Sequence, residues 1–246
     1  MKVCIATIAI GQTYYMKFLH IFMRSQFEYA KRMGYDYKII NISIGDAKSA
    51  ETISLEKQLL CSQPWAQDYD FLIFLDADIL VSRDAPSIHI LCEGTDKIGV
   101  IDEMCQPTRE ERLALQTRNG WEKTAKEYYS LCQLDLDTDF IYNTGVMVFQ
   151  PKKHATFCKA IYEKYKERQK THPRRFHYEQ AVVNYEYQTA DLCLPLDPKW
   201  NAVWSLHKGT TYRGELADFL KENYFVHLAG NFDYPSAYEW TKSQAW

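Results

Sequence analysis

Along this chain, apolar positions switch between two spacings, and the alternation predicts an α/β protein. Residues 2 to 10 form an apolar, partly β-branched run closed by Gly11, the pattern of a central first strand followed by a turn. From Tyr14 to Met33 the apolar residues Phe18, Ile21, Phe22, Phe27, Tyr29 and Ala30 recur at helical spacing, and Gly34 is a natural stop. Tyr37 to Ile42 reads as a second strand. The chain therefore opens as strand, helix, strand, with a nucleotide-sized crevice above the first strand.

A helix over residues 52 to 62 and a break at Pro64 and Trp65 lead to the apolar run Phe71 to Leu75, a strand covered on both faces. Residues 97 to 101 predict a further short strand, and 102 to 138, polar and aromatic without β alternation, predict helices and loops near a site. Ile141 to Phe149 reads as a strand interrupted by Asn143-Thr144-Gly145 and ended by Pro151. Over Ala155 to Lys170, Phe157, Ile161 and Tyr165 mark one face of a helix. No repeat, low-complexity run or linker appears, so the expectation is one domain with two lobes, about residues 1 to 150 and 151 to 246.

The apolar run at 71 to 75 ends in Asp76-Ala77-Asp78. Side chains at i and i+2 of an extended segment project to one face, so the two carboxylates converge where the strand leaves the sheet. Acidic residues also end strands simply because they are soluble and favour turns. What favours chemistry here is the place, because ligands of α/β sheets bind at the carboxyl ends of strands. Paired carboxylates there suit Mg²⁺ or Mn²⁺ with open positions for substrate phosphates, which suggests a metal bridging to a nucleotide diphosphate.

Composition narrows the class. Hydrophobic residues are 46% and charged residues 25% of the 246, which excludes a disordered chain, and a net charge of −3 argues against a broad nucleic-acid footprint. The N-terminal apolar stretch is followed by no small-residue cleavage site, and nothing reaches the roughly 18 apolar residues of a membrane helix. Seven cysteines without CxxC spacing indicate neither a zinc site nor a disulfide framework. A soluble, reduced, cytoplasmic protein is expected.

After the DxD, four short segments follow in order: YNTGVMVFQP at 142 to 151, HYEQAVVNY at 177 to 185, LPLDPKWN at 194 to 201 and VHLAG at 226 to 230. With the DxD they resemble the nucleotide-sugar glycosyltransferases of the GT-A fold, most closely family 8, over nearly the whole chain. The resemblance implies a Rossmann-like mixed sheet flanked by helices. It implies transfer of a sugar from a UDP-sugar to a hydroxyl of a glycan, glycolipid or glycoprotein, with no nucleic acid and no integral membrane segment. Asp76, Asp78 and His227 would be the metal ligands, and an imidazole beside two carboxylates favours Mn²⁺, with Mg²⁺ the alternative.

The same resemblance assigns donor contacts. Ala6 and Thr7, with Tyr14 or Tyr15 stacking, would cradle the uridine; Ala77, Gly145 and Gly230 would let backbone approach the donor; Lys57 would reach phosphate or sugar. Asn143, Glu179 and Gln180 would line the reacting face, with Glu179 where the family often has Asp. Trp200 and Asn201 are acceptor-wall candidates. A lysine usually follows HxxG, but Asp233 stands at that spacing, which leaves Lys208, Lys242 or the metal alone to meet the leaving diphosphate. An inverting reaction would need a carboxylate base, for which Asp102, Glu103 and Glu179 are candidates, so stereochemistry stays open. Two other readings compete. A non-catalytic sugar-nucleotide or glycan binder can use the same crevice. A DxD phosphatase would place its motif on the first strand, with Thr or Val where Leu80 stands.

Overall fold

The computed structural model describes residues 1–46, 50–171, 179–231 and 233–244. Its first strand, β1 (Val3–Ile8), is buried at every position and runs between two parallel neighbours. These are β2 (Asp36–Ile40) and β3 (Phe71–Leu75). Both faces of β1 and β3 are covered, as their unbroken apolar runs require, whereas β2 at the sheet edge is buried only at Ile40. Cys4, Ala6, Leu72 and Phe74 enter one core cluster, while their neighbours Val3, Ile5, Ile73 and Leu75 enter another. This is the two-residue period of a pleated sheet dividing one sequence run between two cores.

Between β1 and β2 the chain is continuously helical from Gln12 to Met33, as α1 (Gln12–Lys17), one π turn (Phe18–Phe22) and α2 (Met23–Met33), closed by Gly34 in the left-handed conformation. Phe18, Ile21, Phe22, Tyr29 and Ala30 are buried as expected, but Phe27 is exposed. The helix expected at 52 to 62 is one α turn, α3 (Ala50–Ile53), followed by a 3₁₀ helix (Ser54–Ser62).

After β3 come β4 (Ile79–Val81), β5 (Ile98–Asp102), α4 (Arg109–Asn119), α5 (Ala125–Leu131) and β6 (Tyr142–Phe149). The strand order is β2-β1-β3-β6-β5-β7, with β6 antiparallel to both neighbours. Asn143-Thr144-Gly145 does not interrupt β6: all eight residues are strand and buried, and the register shift falls between Gly99 and Ile101 of β5 instead. Pro151 opens the long helix α6 (Pro151–Thr171), where its missing N–H costs nothing. Then follow α7 (Gln180–Thr189) and β7 (Cys193–Pro195).

A second sheet, not anticipated beyond the strand-like Tyr224 to Val226, has the order β4-β9-β8. It joins β4 to β8 (Ala202–Val203) and β9 (Phe225–His227), with α8 (Trp204–Lys208) and α9 (Leu216–Glu222) between the latter two and α10 (Tyr234–Ser243) after them. All seven cysteines are free. Among the described residues no helix is long and apolar enough to cross a membrane.

Candidate metal and donor site

The two sheets meet at the DxD. β3 delivers Asp76, whose N–H donates to the Gly145 carbonyl at 2.8 Å, and β4 begins directly after Asp78. β9 pairs antiparallel with β4, setting His227 opposite Ile79, and the Leu228 N–H donates to the Asp78 carbonyl at 2.9 Å. Backbone pairing thus carries the imidazole to the carboxylates. His227 Nε2 lies 3.2 Å from Asp78 Oδ1 and 3.9 Å from Asp76 Oδ2.

Beneath the loop, Gln26 of α2 is fully buried, and its Nε2 donates to the carbonyls of Asp76 at 3.1 Å and Ile79 at 3.0 Å. Its Oε1 accepts from Thr7 Oγ1 at 2.8 Å and Tyr37 OH at 3.0 Å. A side-chain amide with both ends committed fixes the turn that carries the acids.

Electrostatics around the pair are unbalanced. Burial pushes the Asp76 carboxyl up, and the charge of Asp78 adds to this against the opposing ammonium of Lys57. Burial acts the same way on Asp78, but the charge and hydrogen bond of His227 outweigh it and hold that carboxyl below the usual range. For His227, burial lowers proton affinity while Asp78 and then Asp76 raise it more, so the imidazole sits above its ordinary value. Its buried Nδ1 has no hydrogen-bond partner among the described residues. Among the described residues, Asp76, Asp78 and His227 are a group whose ligand atoms all lie within 4.8 Å of one another, and the mixed oxygen and nitrogen set fits a divalent cation such as Mn²⁺.

Next to this cluster the charges are paired. Lys57 Nζ, on the 3₁₀ helix after α3, lies 2.7 Å from Glu179 Oε1 and 3.3 Å from Asp76 Oδ1, and donates to the Thr144 carbonyl at 3.2 Å. Thr144 Oγ1 donates to the same Glu179 oxygen at 2.7 Å. Asn143 Nδ2 donates to Glu103 Oε2 at 3.0 Å, and the other Glu103 oxygen accepts from buried Arg112 at 3.2 Å. Asn143 Oδ1 accepts from the Gly145 N–H at 2.9 Å and from Asn201 Nδ2 at 2.8 Å.

The structure therefore brings Lys57, Asp76, Asp78, Asn143, Gly145, Glu179 and His227 together. Gln180, buried at the first turn of α7, follows Glu179. His177 and Tyr178 of the HYEQ segment lie outside the described residues. The two tyrosines separate: Tyr15 packs against an apolar cluster, whereas Tyr14, 36% exposed, has its phenol held above the usual range by burial of its hydroxyl end and then by Asp78 and Asp76. Ala6 and Thr7 are fully buried, with the Thr7 hydroxyl committed to Gln26, so only backbone there is left to meet a base. The Ala77 side chain packs in the same cluster as Tyr15, and Gly230 turns the chain after β9 with φ 76°.

Trp200 is core, 4.6 Å centroid to centroid from Tyr224 and 3% exposed, and so is no acceptor wall. Asp233 accepts from Trp204 Nε1 at 3.0 Å. Lys208 lies over the Trp204 ring and Lys242 over Tyr238. Sequence reasoning missed Gln26, Thr144, Arg112 and Tyr234, the last raised by burial and then by Asp78 and Asp76. Gln26 left one signal, a polar residue four positions from both Phe22 and Ala30 in the apolar stripe of the helix.

A mixed sheet of this order, with a DxD leaving its third strand toward a small second sheet, defines a glycosyltransferase of the GT-A fold. Residues 62–232 match the family described as glycosyl transferase family 8, and the chain belongs to that family. Three solved structures share the fold. A glycosyltransferase involved in glycosylation of the major capsid of PBCV-1 aligns at TM-score 0.63 and 15% identity, covering 98% of this chain and 99% of that one. The bifunctional glycosyltransferase WbbM aligns at 0.62 and 14%, covering 100% of this chain and 50% of that one. The galactosyltransferase LgtC, solved with donor and acceptor sugar analogs, aligns at 0.59 and 13%, covering 98% and 94%. No curated protein matches the chain.

Proposed function

We propose that this glycosyltransferase takes a UDP-sugar as donor and a hydroxyl of a glycan, glycolipid or glycoprotein as acceptor, with Mn²⁺, or Mg²⁺ in its place, held by Asp76, Asp78 and His227. The observation that carries the reading is the convergence of two buried acids and one buried imidazole at the end of β3. When bound, the cation supplies charge stabilisation to the departing diphosphate. The remaining work falls to the chain. Lys57 holds Glu179 in place and adds positive charge beside Asp76. Asn143, with its oxygen and one amide hydrogen engaged, keeps one N–H for a donor hydroxyl, and Gln180 faces the same sugar. Tyr14 offers its ring to the base.

Transfer with retention is the favoured course. Each candidate base already serves a cation: Asp102 pairs with Arg109, Glu103 with Arg112 and Glu179 with Lys57. Burial lifts Asp102 above the usual carboxylate range, but its Oδ1 accepts from the Met104 and Ile141 N–H groups and its Oδ2 from Arg109. Asp102 keeps that raised proton affinity with these partners in place, so what stands against it is occupancy: a carboxylate so engaged must release a partner before it can take a proton from an acceptor hydroxyl. The first 150 residues then form the nucleotide-sugar lobe, 151 to 246 form the acceptor lobe together with the segment that closes the donor site with Glu179, Gln180 and His227, and the reaction is cytoplasmic.

The test is release of UDP from a panel of UDP-sugars with candidate acceptors, with and without Mn²⁺, in the native protein and in Asp78→Ala. Transfer that needs the cation and disappears in the variant supports the proposal. Full activity without a divalent cation, or nucleotide-sugar binding without turnover, overturns it.

A further inference from the structure

We propose that Gly145 is a positioning residue for His227: the absent side chain is what lets the imidazole reach the two acids, so the third ligand depends on a glycine that touches no metal. This rests on the reading of Asp76, Asp78 and His227 as the cation site. A Cβ built on Gly145 would lie 2.5 Å from His227 Cε1, 2.7 Å from its Nδ1 and 2.9 Å from Asn143 Oδ1. Carbon atoms in good contact stand about 3.5 Å apart, so the ring would have to retreat by roughly 1 Å. It has little room: the imidazole is 5% exposed, its backbone is fixed by pairing with Ile79, and Asp78 Oδ1 stands 3.2 Å from Nε2 on the other side.

The requirement is for space and not for backbone freedom. Gly145 has no left-handed φ and sits inside buried β6, where alanine is conformationally acceptable. Its carbonyl also receives the Asp76 N–H at 2.8 Å, so one residue of β6 sets both the first acid and the imidazole. With the ring displaced, two carboxylates remain, a hard oxygen set that no longer favours Mn²⁺ over Mg²⁺.

The experiment titrates Mn²⁺ into nucleotide-free protein, follows free Mn²⁺ by electron paramagnetic resonance and repeats the titration with competing Mg²⁺. It compares the native chain, Gly145→Ala, His227→Ala and the double variant. The expected result is that Gly145→Ala weakens Mn²⁺ about tenfold or more, the scale seen when supports of metal ligands are lost. Its Mn²⁺ to Mg²⁺ preference should fall to that of His227→Ala, and the double variant should bind like His227→Ala alone. Unchanged binding in Gly145→Ala, or losses that multiply in the double variant, overturns the inference while leaving the cation site standing. A native chain that binds no Mn²⁺ overturns both. Should Gly145→Ala fail to fold, the double variant, which relieves the ring and leaves only the 2.9 Å approach to Asn143 Oδ1, is expected to fold and to bind as His227→Ala does; its failure to fold would assign the need for glycine to Asn143 and overturn the inference as well.

Discussion

The two walls of the crevice treat charge in opposite ways. On the wall formed by β3, β4 and β9, acids and imidazole are driven together with too little compensation: Asp76 is pushed up, Asp78 and His227 lean on each other, and His227 Nδ1 has no partner among the described residues. On the wall formed by β5, β6 and α4, burial also lifts Asp102 and leaves two Arg112 nitrogens unbonded among the described residues, but each acid has a guanidinium at 3.2 Å, Asp102 that of Arg109 and Glu103 that of Arg112. A cluster left unsatisfied in a folded protein is built for something that arrives later, whereas a balanced buried pair is scaffold. Changing Asp76, the acid that burial pushes up, should therefore remove function and spare stability, and changing Glu103 on the second wall should do the reverse.

The sharpest break between the walls is Asp76→Asn. Activity should fall about a thousandfold, because some 4 kcal/mol of charge stabilisation corresponds to three factors of ten. Without metal, however, the variant keeps Lys57 with Glu179 and His227 with Asp78, so its urea midpoint should be unchanged or higher. A large loss of metal-free stability would show that Asp76 is scaffold after all. Glu103→Gln is the counterpart. It takes the charge partner from an Arg112 that is 6% exposed and whose Nε and Nη1 have no partner among the described residues, so about 3 kcal/mol of stability should be lost in urea denaturation. If Glu103→Gln were as stable as the native chain, the contrast between the walls would fail.

A smaller effect comes from pH. Because the folded metal-free protein holds a proton on His227 more tightly than usual, that imidazole adds stability below its ordinary pKa, and this contribution fades as pH rises through the raised value. Cation binding has the opposite slope, since the proton must leave first. Below the raised pKa, affinity for Mn²⁺ should climb about tenfold per pH unit, and His227→Ala should flatten the climb. Calorimetric titrations across that window would show it, and equal slopes in both proteins would exclude His227 as a ligand. Asp78, depressed in the folded state, contributes stability above its ordinary pKa and loses it only as pH falls through the depressed value.

Legibility in the sequence followed the range of the interaction. Asp76 and Asp78 were readable because spacing along one strand places both, and the run before them announces burial. His227 was readable only as a pattern, since what delivers it is the pairing of β4 with β9, far apart in the chain. Asn143-Thr144-Gly145 looked like an interruption because asparagine and glycine favour turns. In the fold the segment is unbroken strand, and its small and polar residues answer to Glu103, Glu179 and His227 across space. Thr7 resembled part of a cradle whose backbone reads the base, and nothing in its local sequence showed that its hydroxyl is committed to Gln26 of a helix. Local pattern could not separate a polar group facing the ligand from one serving as support.

The support beneath the first wall gives the smallest test. Tyr37→Phe removes one of the two hydroxyls that hold Gln26 Oε1, while Thr7 stays at 2.8 Å and both Gln26 Nε2 bonds to the DxD turn remain possible. The loss of one neutral hydrogen bond, with an acceptor still satisfied, should cost about 1 kcal/mol in stability. If Gln26 only fills the core, affinity for Mn²⁺ should stay as it was. If the amide aims the acids, a looser Gln26 lets the carbonyls of Asp76 and Ile79 drift, and affinity should weaken severalfold, about the 1 kcal/mol that the bond is worth. Stability lost without any change in metal binding would confine Gln26 to the core and leave the paired backbones of β3, β4 and β9 as the sole frame of the first wall.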